Sequence, residues 1–306
     1  MAINWYPGHM HKASKEMRKI MPQVDLMIEV LDGRIPFSSE NPMLAELRGD
    51  KPCIKVLSKC DLADTALTRA WQDYLEQDKG VKTIALTTEE PERMKGILDL
   101  CHKMMPNKSA GVKNIQAMIM GIPNVGKSTL INHLAGRHIA KTGNEPAVTK
   151  MQQRIKLDRG IVLLDTPGVL WPKLENQHGG YRLAITGAIK ESAISNEDIA
   201  LYAVAYLREA YPDYLTARYQ LSVLSPNDVT LLEAIGKQRG CLRAGGRVDL
   251  ERAAKILLTE LRAGTLGQLT LETPQMMEAE LIEMSELRAK AEAKKAAKLA
   301  KKRPQR

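Results

Sequence analysis

Aromatic side chains are scarce in this chain of 306 residues, making up 4% of it with a single Phe. A core must therefore come from aliphatic side chains and from the 15 Met, and the 44% hydrophobic content is ample for one large domain and a smaller one. Cysteine is also sparse. Cys53, Cys60, Cys101 and Cys241 are scattered and form no C-x-x-C, which argues against a disulfide framework and for reduced thiols. The six His are equally dispersed, so no spacing points to a zinc site. No apolar run approaches the ~20 residues that span a bilayer. Met1 to Tyr6 lacks the apolar stretch of a secretory leader. A cytoplasmic location and no membrane partner are expected.

Positive charge is present but unevenly placed. Of the net +9, residues 288–306 supply +8, from six Lys, three Arg and one Glu, so the rest of the chain is nearly neutral. Four Glu precede this run between 278 and 286. Ala, Lys, Glu and Leu give the segment high helix propensity, yet it lacks a sustained apolar stripe, so a packed helix is not expected. Such an end either grips RNA phosphates or stays solvated, and composition alone leaves both open.

The strongest motif is Gly121-Ile122-Pro123-Asn124-Val125-Gly126-Lys127-Ser128-Thr129, which matches G-x-x-x-x-G-K-[ST]. Its glycines let backbone N–H groups turn inward toward phosphate oxygens. Lys127 neutralises the terminal phosphates, and Ser128 is placed to ligate Mg²⁺. The apolar run Ile115 to Met120 predicts a buried strand before the loop. A helix over about Lys127 to Ala135 directs its positive dipole end at the same phosphates. Asp165-Thr166-Pro167-Gly168 ends a second apolar run, Ile161 to Leu164. There Asp165 is a candidate Mg²⁺ partner, and the Gly168 N–H is a candidate γ-phosphate donor. Alone, D-T-P-G is as well explained by a Pro-Gly turn; beside a phosphate loop, that reading weakens.

A third element, Ser58-Lys59-Cys60-Asp61, follows the run Cys53 to Leu57. The Asp61 carboxylate can accept two hydrogen bonds from the N1–H and amino group of guanine, an arrangement adenine lacks. Lys59 is expected to lay its aliphatic stem along the base. The usual form of this element is N-K-x-D, and Ser58 replaces the Asn. Taken alone, these four residues are better explained as a polar strand end. Their position before the phosphate loop reverses the order of an ordinary GTPase.

With these elements the chain resembles the circularly permuted GTPases of ribosome assembly. The resemblance covers about residues 2 to 275. It also rests on Trp5-Tyr6-Pro7-Gly8-His9-Met10, on Asp32-Gly33-Arg34-Ile35-Pro36 (similar to the family's D-A-R-x-P) and on Ala140-Lys141-Thr142-Gly143. Leu170-Trp171-Pro172-Lys173, Thr186-Gly187-Ala188-Ile189-Lys190 and Gly240-Cys241-Leu242 extend it. It implies a GTPase that couples GTP and GDP states to late assembly of the large ribosomal subunit precursor, with rRNA and ribosomal proteins as partners. A monomer is expected. The departures are Ser58 and Thr87-Thr88, the latter where a weak base-contact loop belongs; both lie in the guanine pocket.

Catalysis needs an oriented water, and Val169 stands where a Gln often follows D-x-x-G. An apolar side chain cannot hold water, so slow turnover by the isolated protein is expected. The family resemblance offers His9 instead. It also gives Asn124 a role in holding K⁺ beside the phosphates, and the alternative there is a turn-favouring Asn. Thr149 is the preferred switch threonine for Mg²⁺, with Thr142 as its competitor.

The elements alternate along the chain. A helix is predicted over Lys12 to Met21, strands over Val24 to Leu31, Cys53 to Leu57 and Val81 to Leu86, and helices over Ala66 to Gln77 and Arg93 to Met104. Polar Pro106 to Asn114 bridges what are elsewhere the two chain ends. Strands near Met151 to Leu157 and Ile161 to Leu164 follow. This predicts an α/β fold with a doubly wound, mainly parallel sheet over residues 1–174. From about residue 175, Ala200, Ala203, Val204 and Leu207, and Ala254, Leu257, Leu258 and Leu261, recur at helical spacing. A smaller all-α domain over 175–275 and a basic tail over 276–306 complete the expectation. A rival class is an RNA-binding assembly factor with a vestigial nucleotide site; an ATPase is a third.

Overall fold

The computed structural model describes residues 15–109, 114–139, 153–168, 170, 176–189 and 195–302. Six strands form one sheet in the order β3-β2-β1-β4-β6-β5. They are β1 (Leu26–Asp32), β2 (Cys53–Ser58), β3 (Val81–Ala85), β4 (Ile115–Gly121), β5 (Gln153–Lys156) and β6 (Ile161–Asp165). All neighbours are parallel except the edge strand β5, which runs antiparallel to β6. The central strands are apolar runs buried on both faces, as parallel strands covered by helices must be.

Besides the four-residue helices Pro91–Met94 and Pro106–Ser109, the helices, in chain order, are α1 (Pro42–Arg48), α2 (Thr65–Leu75), α3 (Gly96–Met104), α4 (Lys127–Ala135), α5 (Gln177–Ile185), α6 (Asn196–Ala210), α7 (Pro212–Tyr219), α8 (Asp228–Gln238), α9 (Leu250–Arg262) and α10 (Pro274–Lys302). Side-chain oxygens of Asn41, Asp64, Asn176, Ser195, Asn227 and Asp249 accept from the first-turn N–H groups and set where six of them begin. The predicted helix over Arg93 to Met104 instead begins at Pro91 and divides at Lys95, before Gly96. The helix α1 was not expected; Asn41 and Pro42 are its start signals. Of the helix expected over Lys12 to Met21, residues 15–20 are helical, and a 3₁₀ turn Met21–Gln23 follows.

Among the described residues, every strand lies between 26 and 165, and the regular structure from 176 on is helical, apart from one isolated bridge between Leu242 and Val248. The stripe Ala200, Ala203, Val204, Leu207 and the stripe Ala254, Leu257, Leu258, Leu261 are both buried where α6 and α9 pack. The basic end forms a helix after all. Its first turns are held because Met277 packs with Leu31, Leu57, Trp71 and Leu75, and Glu280 meets Arg182 and Asn176. From Leu281 to Lys290 nearly every residue is exposed, which agrees with the missing apolar stripe.

Candidate nucleotide site

The register of the sheet brings the motifs together although the chain orders them differently. Asp32 at the end of β1 pairs with Ser58 at the end of β2, Val30 with Gly121 of β4, and Ile119 with Asp165 of β6. The carboxyl ends of four parallel strands thus converge where open α/β sheets bind ligands. Rotating the chain order leaves this untouched, because the sheet and not the sequence fixes the ends.

The phosphate loop runs from β4 into α4. Asn124 and Gly126 take positive φ of 63° and 89°, which curls the loop. Among the described residues no side chain caps α4, which leaves its first N–H groups available to an anion. Val125 is buried, and Ser128 and Thr129 are half-buried in the first turn. Lys127 is buried, and its ammonium forms an ion pair with the Asp165 carboxylate. Burial pushes the Asp165 carboxyl above its ordinary range, and Lys127 only partly opposes this. The second oxygen, Asp165 Oδ2, is buried and has no hydrogen-bond partner among the described residues. An unsatisfied buried carboxylate oxygen beside the Ser128 turn fits a hard divalent cation that also takes phosphate oxygens. Gly168 lies against Pro123 of the loop, where a Cβ would come within 3.2 Å of the Pro123 nitrogen.

The loop expected to read guanine, Ser58 to Asp61 (the guanine loop), is tied to the phosphate loop by two consecutive side chains. Ser58 Oγ lies 2.6 Å from the Val125 carbonyl and 2.8 Å from the Leu31 carbonyl. Lys59, at a φ of 55°, turns back so that Nζ donates to the Asn124 carbonyl at 2.7 Å and to Asp32 at 2.8 Å. The ammonium of Lys59 is thus committed to the loop. Asp32 also accepts from Arg34 at 2.8 and 2.9 Å. Burial opposes its charge, yet Arg34 and Lys59 outweigh that and hold the carboxyl well below the usual carboxylate range. Asp61 is half-buried, and among the described residues its carboxylate accepts no hydrogen bond. Thr87 and Thr88 follow β3 and adjoin this loop through the Cys60 N–H, which donates to the Leu86 carbonyl. Thr87 is buried and Thr88 exposed.

Two further contacts had no signal in the sequence. The Asn124 side-chain amide donates to the Gly187 carbonyl at 2.8 Å, joining the phosphate loop to the turn after α5. The segment Gln268 to Glu272 lies over the guanine loop. Gln268 Nε2 donates to the Asp61 carbonyl and the Leu269 N–H to the Leu62 carbonyl, both at 3.0 Å. The Leu271 N–H donates to the Arg34 carbonyl at 2.8 Å. His9, Thr142, Thr149 and Val169 lie outside the described residues.

Comparison with known proteins gives the family and the fold. The family model described as "50S ribosome-binding GTPase" matches residues 116–231. Ribosome biogenesis GTPase A of Bacillus cereus is 45% identical, over 90% of this chain and 95% of its own length. Mitochondrial ribosome-associated GTPase 1 of the mouse is 35% identical, over 88% of this chain and 89% of its own. Among solved structures, GNP-bound YlqF from T. maritima superposes with a TM-score of 0.61 at 26% identity, covering 87% of this chain and 99% of that one. With relatives of this identity and coverage, the chain belongs to the ribosome biogenesis GTPase A family, as a GTPase of circularly permuted chain order.

Proposed function

We propose that this GTPase binds the precursor of the large ribosomal subunit and couples GTP binding and hydrolysis to its late assembly. The observation that carries the reading is the pairing of Lys127 with a half-satisfied Asp165 beneath a loop tied to Asp61. The pair alone would also serve the fold, but the open Asp165 oxygen is a cost that a site without a ligand leaves unrelieved. GTP is bound by the backbone and side chains of Asn124 to Thr129 and by Gly168, with guanine read by Asp61 and flanked by Lys59, Thr87 and Thr88. Mg²⁺, when bound, supplies charge to the β- and γ-phosphates, with Ser128, Asp165 and Thr149 as its protein partners. K⁺ at Asn124 is the proposed monovalent partner. Contact of residues 137–150 with the γ-phosphate orders that segment, and hydrolysis releases it.

His9 is the proposed water-orienting group, brought over the γ-phosphate when the subunit is bound. The domain boundaries are placed at 174 and 275. The helical domain and the basic α10 face rRNA and ribosomal proteins, as a monomer in the cytoplasm. The names of the relatives support the ribosomal partner. Among the described residues no helix is long and apolar enough to cross a membrane.

The test is sedimentation with purified large subunits, followed by single-turnover hydrolysis on them. Binding stronger with a non-hydrolysable GTP analogue than with GDP supports the coupling. His9→Ala should keep GTP affinity and subunit binding yet lose about 10²–10⁴-fold in the stimulated rate. Removing residues 288–306 should flatten the salt dependence of binding. Equal binding in all nucleotide states leaves an assembly factor with an idle site.

A further inference from the structure

Where α10 runs past α1 and α2 it leaves a gap. Met277, Leu281 and Met284, at spacings of four and three, line one side of a cleft of about 610 Å³, and Phe37, Ala45 and Tyr74 line the other. Only the first of the three α10 residues is fully packed: Met277 is buried, Met284 is half-buried and Leu281 is 43% exposed. Cavities of roughly 300–1,000 Å³ with apolar walls and a few polar groups are the usual form of binding sites. The borders of this one carry a single sign of charge. Residues 40–47 hold two carboxylates, 71–78 three and 274–287 four, and none of these stretches contains Lys or Arg, in a chain of net charge +9. Glu40, Glu76 and Glu280 are paired, with Lys55, Lys82 and Arg182. Glu46, Asp73, Glu278 and Glu283 have no ion pair among the described residues. Burial and the charges of Glu278, Asp78 and Glu40 together push the Tyr74 phenol above its ordinary value, and Lys55 only partly opposes them. Three carboxylates thus act on one point of the cleft.

The basic residues that line the cleft do not reverse this. Lys55 gives its ammonium to Glu40 at 2.6 Å, and Arg288 comes at the far end of the stripe, where α10 turns basic. Such a surface repels phosphate, so it is not a face for RNA. Its complement is an apolar segment that carries Lys and Arg. We infer that the cleft between α10, α1 and α2 is a docking groove for a basic amphipathic segment of another protein. Apolar residues of that segment lie against Leu281 and Met284, and its cations lie along the carboxylates of the rim. From Met277 to Arg288 the groove follows roughly 16 Å of helix, at ~1.5 Å per residue, which matches a segment of two to three helical turns. Unbranched Met side chains suit such a surface, because they adapt to the shape laid on them. The division of α10 into an acidic half over the cleft and a basic half beyond it keeps this partner apart from any phosphate ligand.

No residue lining the cleft belongs to the nucleotide site, so the inference stands apart from the reading of that site. Its test uses the full chain in saturating GDP at about 0.15 M salt. The probes are a fluorescein-labelled amphipathic peptide of Leu and Lys and its counterpart with Glu in place of Lys, and binding is read as anisotropy. Wild type should bind the Leu/Lys peptide about tenfold or more tightly than the Leu/Glu peptide. Leu281→Gln with Met284→Gln, which removes the apolar contacts and adds no charge, should weaken the Leu/Lys peptide about tenfold. Asp78→Lys with Glu278→Lys should weaken the Leu/Lys peptide and strengthen the Leu/Glu peptide, each about 3- to 10-fold. Ile282→Gln, at a residue 64% exposed and outside the cleft, should change neither. All of the substituted side chains are exposed or half-buried, so the fold is kept. Equal binding of the two peptides by wild type would overturn the inference, as would a Leu281→Gln, Met284→Gln protein that binds as wild type does. A loss in Ile282→Gln as large as in that pair would show a peptide coating α10 without entering the cleft, and overturns it too. Self-association in sedimentation equilibrium that Leu281→Gln with Met284→Gln abolishes would give the groove to a second copy of this chain instead of another protein.

Discussion

The side-chain amide of Asn124, inside the phosphate loop, donates a 2.8 Å hydrogen bond to the carbonyl of Gly187, just past the end of α5. The helical part of the molecule therefore touches the phosphate loop directly. It also touches the guanine loop, through Gln268 and Leu269. Nucleotide-dependent movement at either loop has a short path to the helices, made of single hydrogen bonds to backbone carbonyls.

The first prediction concerns that amide. Asn124→Ala removes the Gly187 link and the proposed K⁺ contact together. GTP affinity should fall about 2- to 10-fold. The rate advantage of K⁺ over Na⁺ should disappear in single-turnover hydrolysis. If the variant keeps the K⁺ advantage, Asn124 serves only to hold the helices, and the cation is bound elsewhere.

A second prediction follows from Lys127 being buried with Asp165. Lys127→Ala should abolish nucleotide binding. It should also destabilise the protein, because it leaves a buried carboxylate without its cation. Breaking such a pair from one side costs about 3–5 kcal/mol. Lys127→Ala combined with Asp165→Asn should recover part of that loss without recovering binding. Denaturant melts of wild type and the two variants decide it. A Lys127→Ala protein as stable as wild type would mean that the pair adds nothing to the apo fold.

Asp61 carries the third. Asparagine at 61 presents a donor where guanine also presents one, so Asp61→Asn should lose GTP binding and gain affinity for xanthosine triphosphate. Filter binding with the two nucleotides measures the exchange. Unchanged preference for GTP would place guanine recognition on another residue.

How much of this was legible beforehand divides along physical lines. The phosphate loop, Asp165 and the parallel strands were visible because each leaves a local mark: a glycine spacing, or an apolar run ending in a polar residue. The ties made by Ser58 and Lys59 were not. The sequence offers Ser58 only as a replacement for Asn and Lys59 only as a stem along the base, whereas the structure turns their polar atoms to the Val125 and Asn124 carbonyls. Backbone acceptors carry no sequence signature, so no pattern search finds them. The segment Gln268 to Glu272 was hidden for the same reason, since three of its contacts with the guanine loop and the D-G-R segment end on carbonyls at Asp61, Leu62 and Arg34. Glu272 itself is buried against Ser38 and Arg182, and nothing in its spacing separates it from a surface glutamate. The basic end was read from composition as helix-prone and unpacked, and only its first turns depart from that, where Met277 and Glu280 find partners.

The last prediction lies in the sheet itself. Glu29 is buried in the middle of β1, opposite Lys55 in the β1–β2 register. Burial pushes its carboxyl up to about 7, reinforced by nearby Glu40 and opposed by Lys55, by the Asn41 N–H and by Arg48. Lys55 does not neutralise it fully because its ammonium is given to Glu40 at 2.6 Å. In the unfolded chain the same carboxyl titrates near 4.5. Between those two values the folded protein keeps a proton that the unfolded chain has released. The stabilisation linked to that proton is complete below the unfolded value and is lost as pH rises through the folded one. Glu29→Gln carries no titrating proton and should lack this slope. Relative to wild type, the variant should therefore gain roughly 2–4 kcal/mol of unfolding free energy between about pH 5 and about pH 8. Denaturant unfolding of both proteins across that range gives the difference directly, with every other titrating group common to the two. A difference that stays flat would mean that Glu29 is ionised in the folded sheet throughout, with Lys55 and Arg48 prevailing over burial.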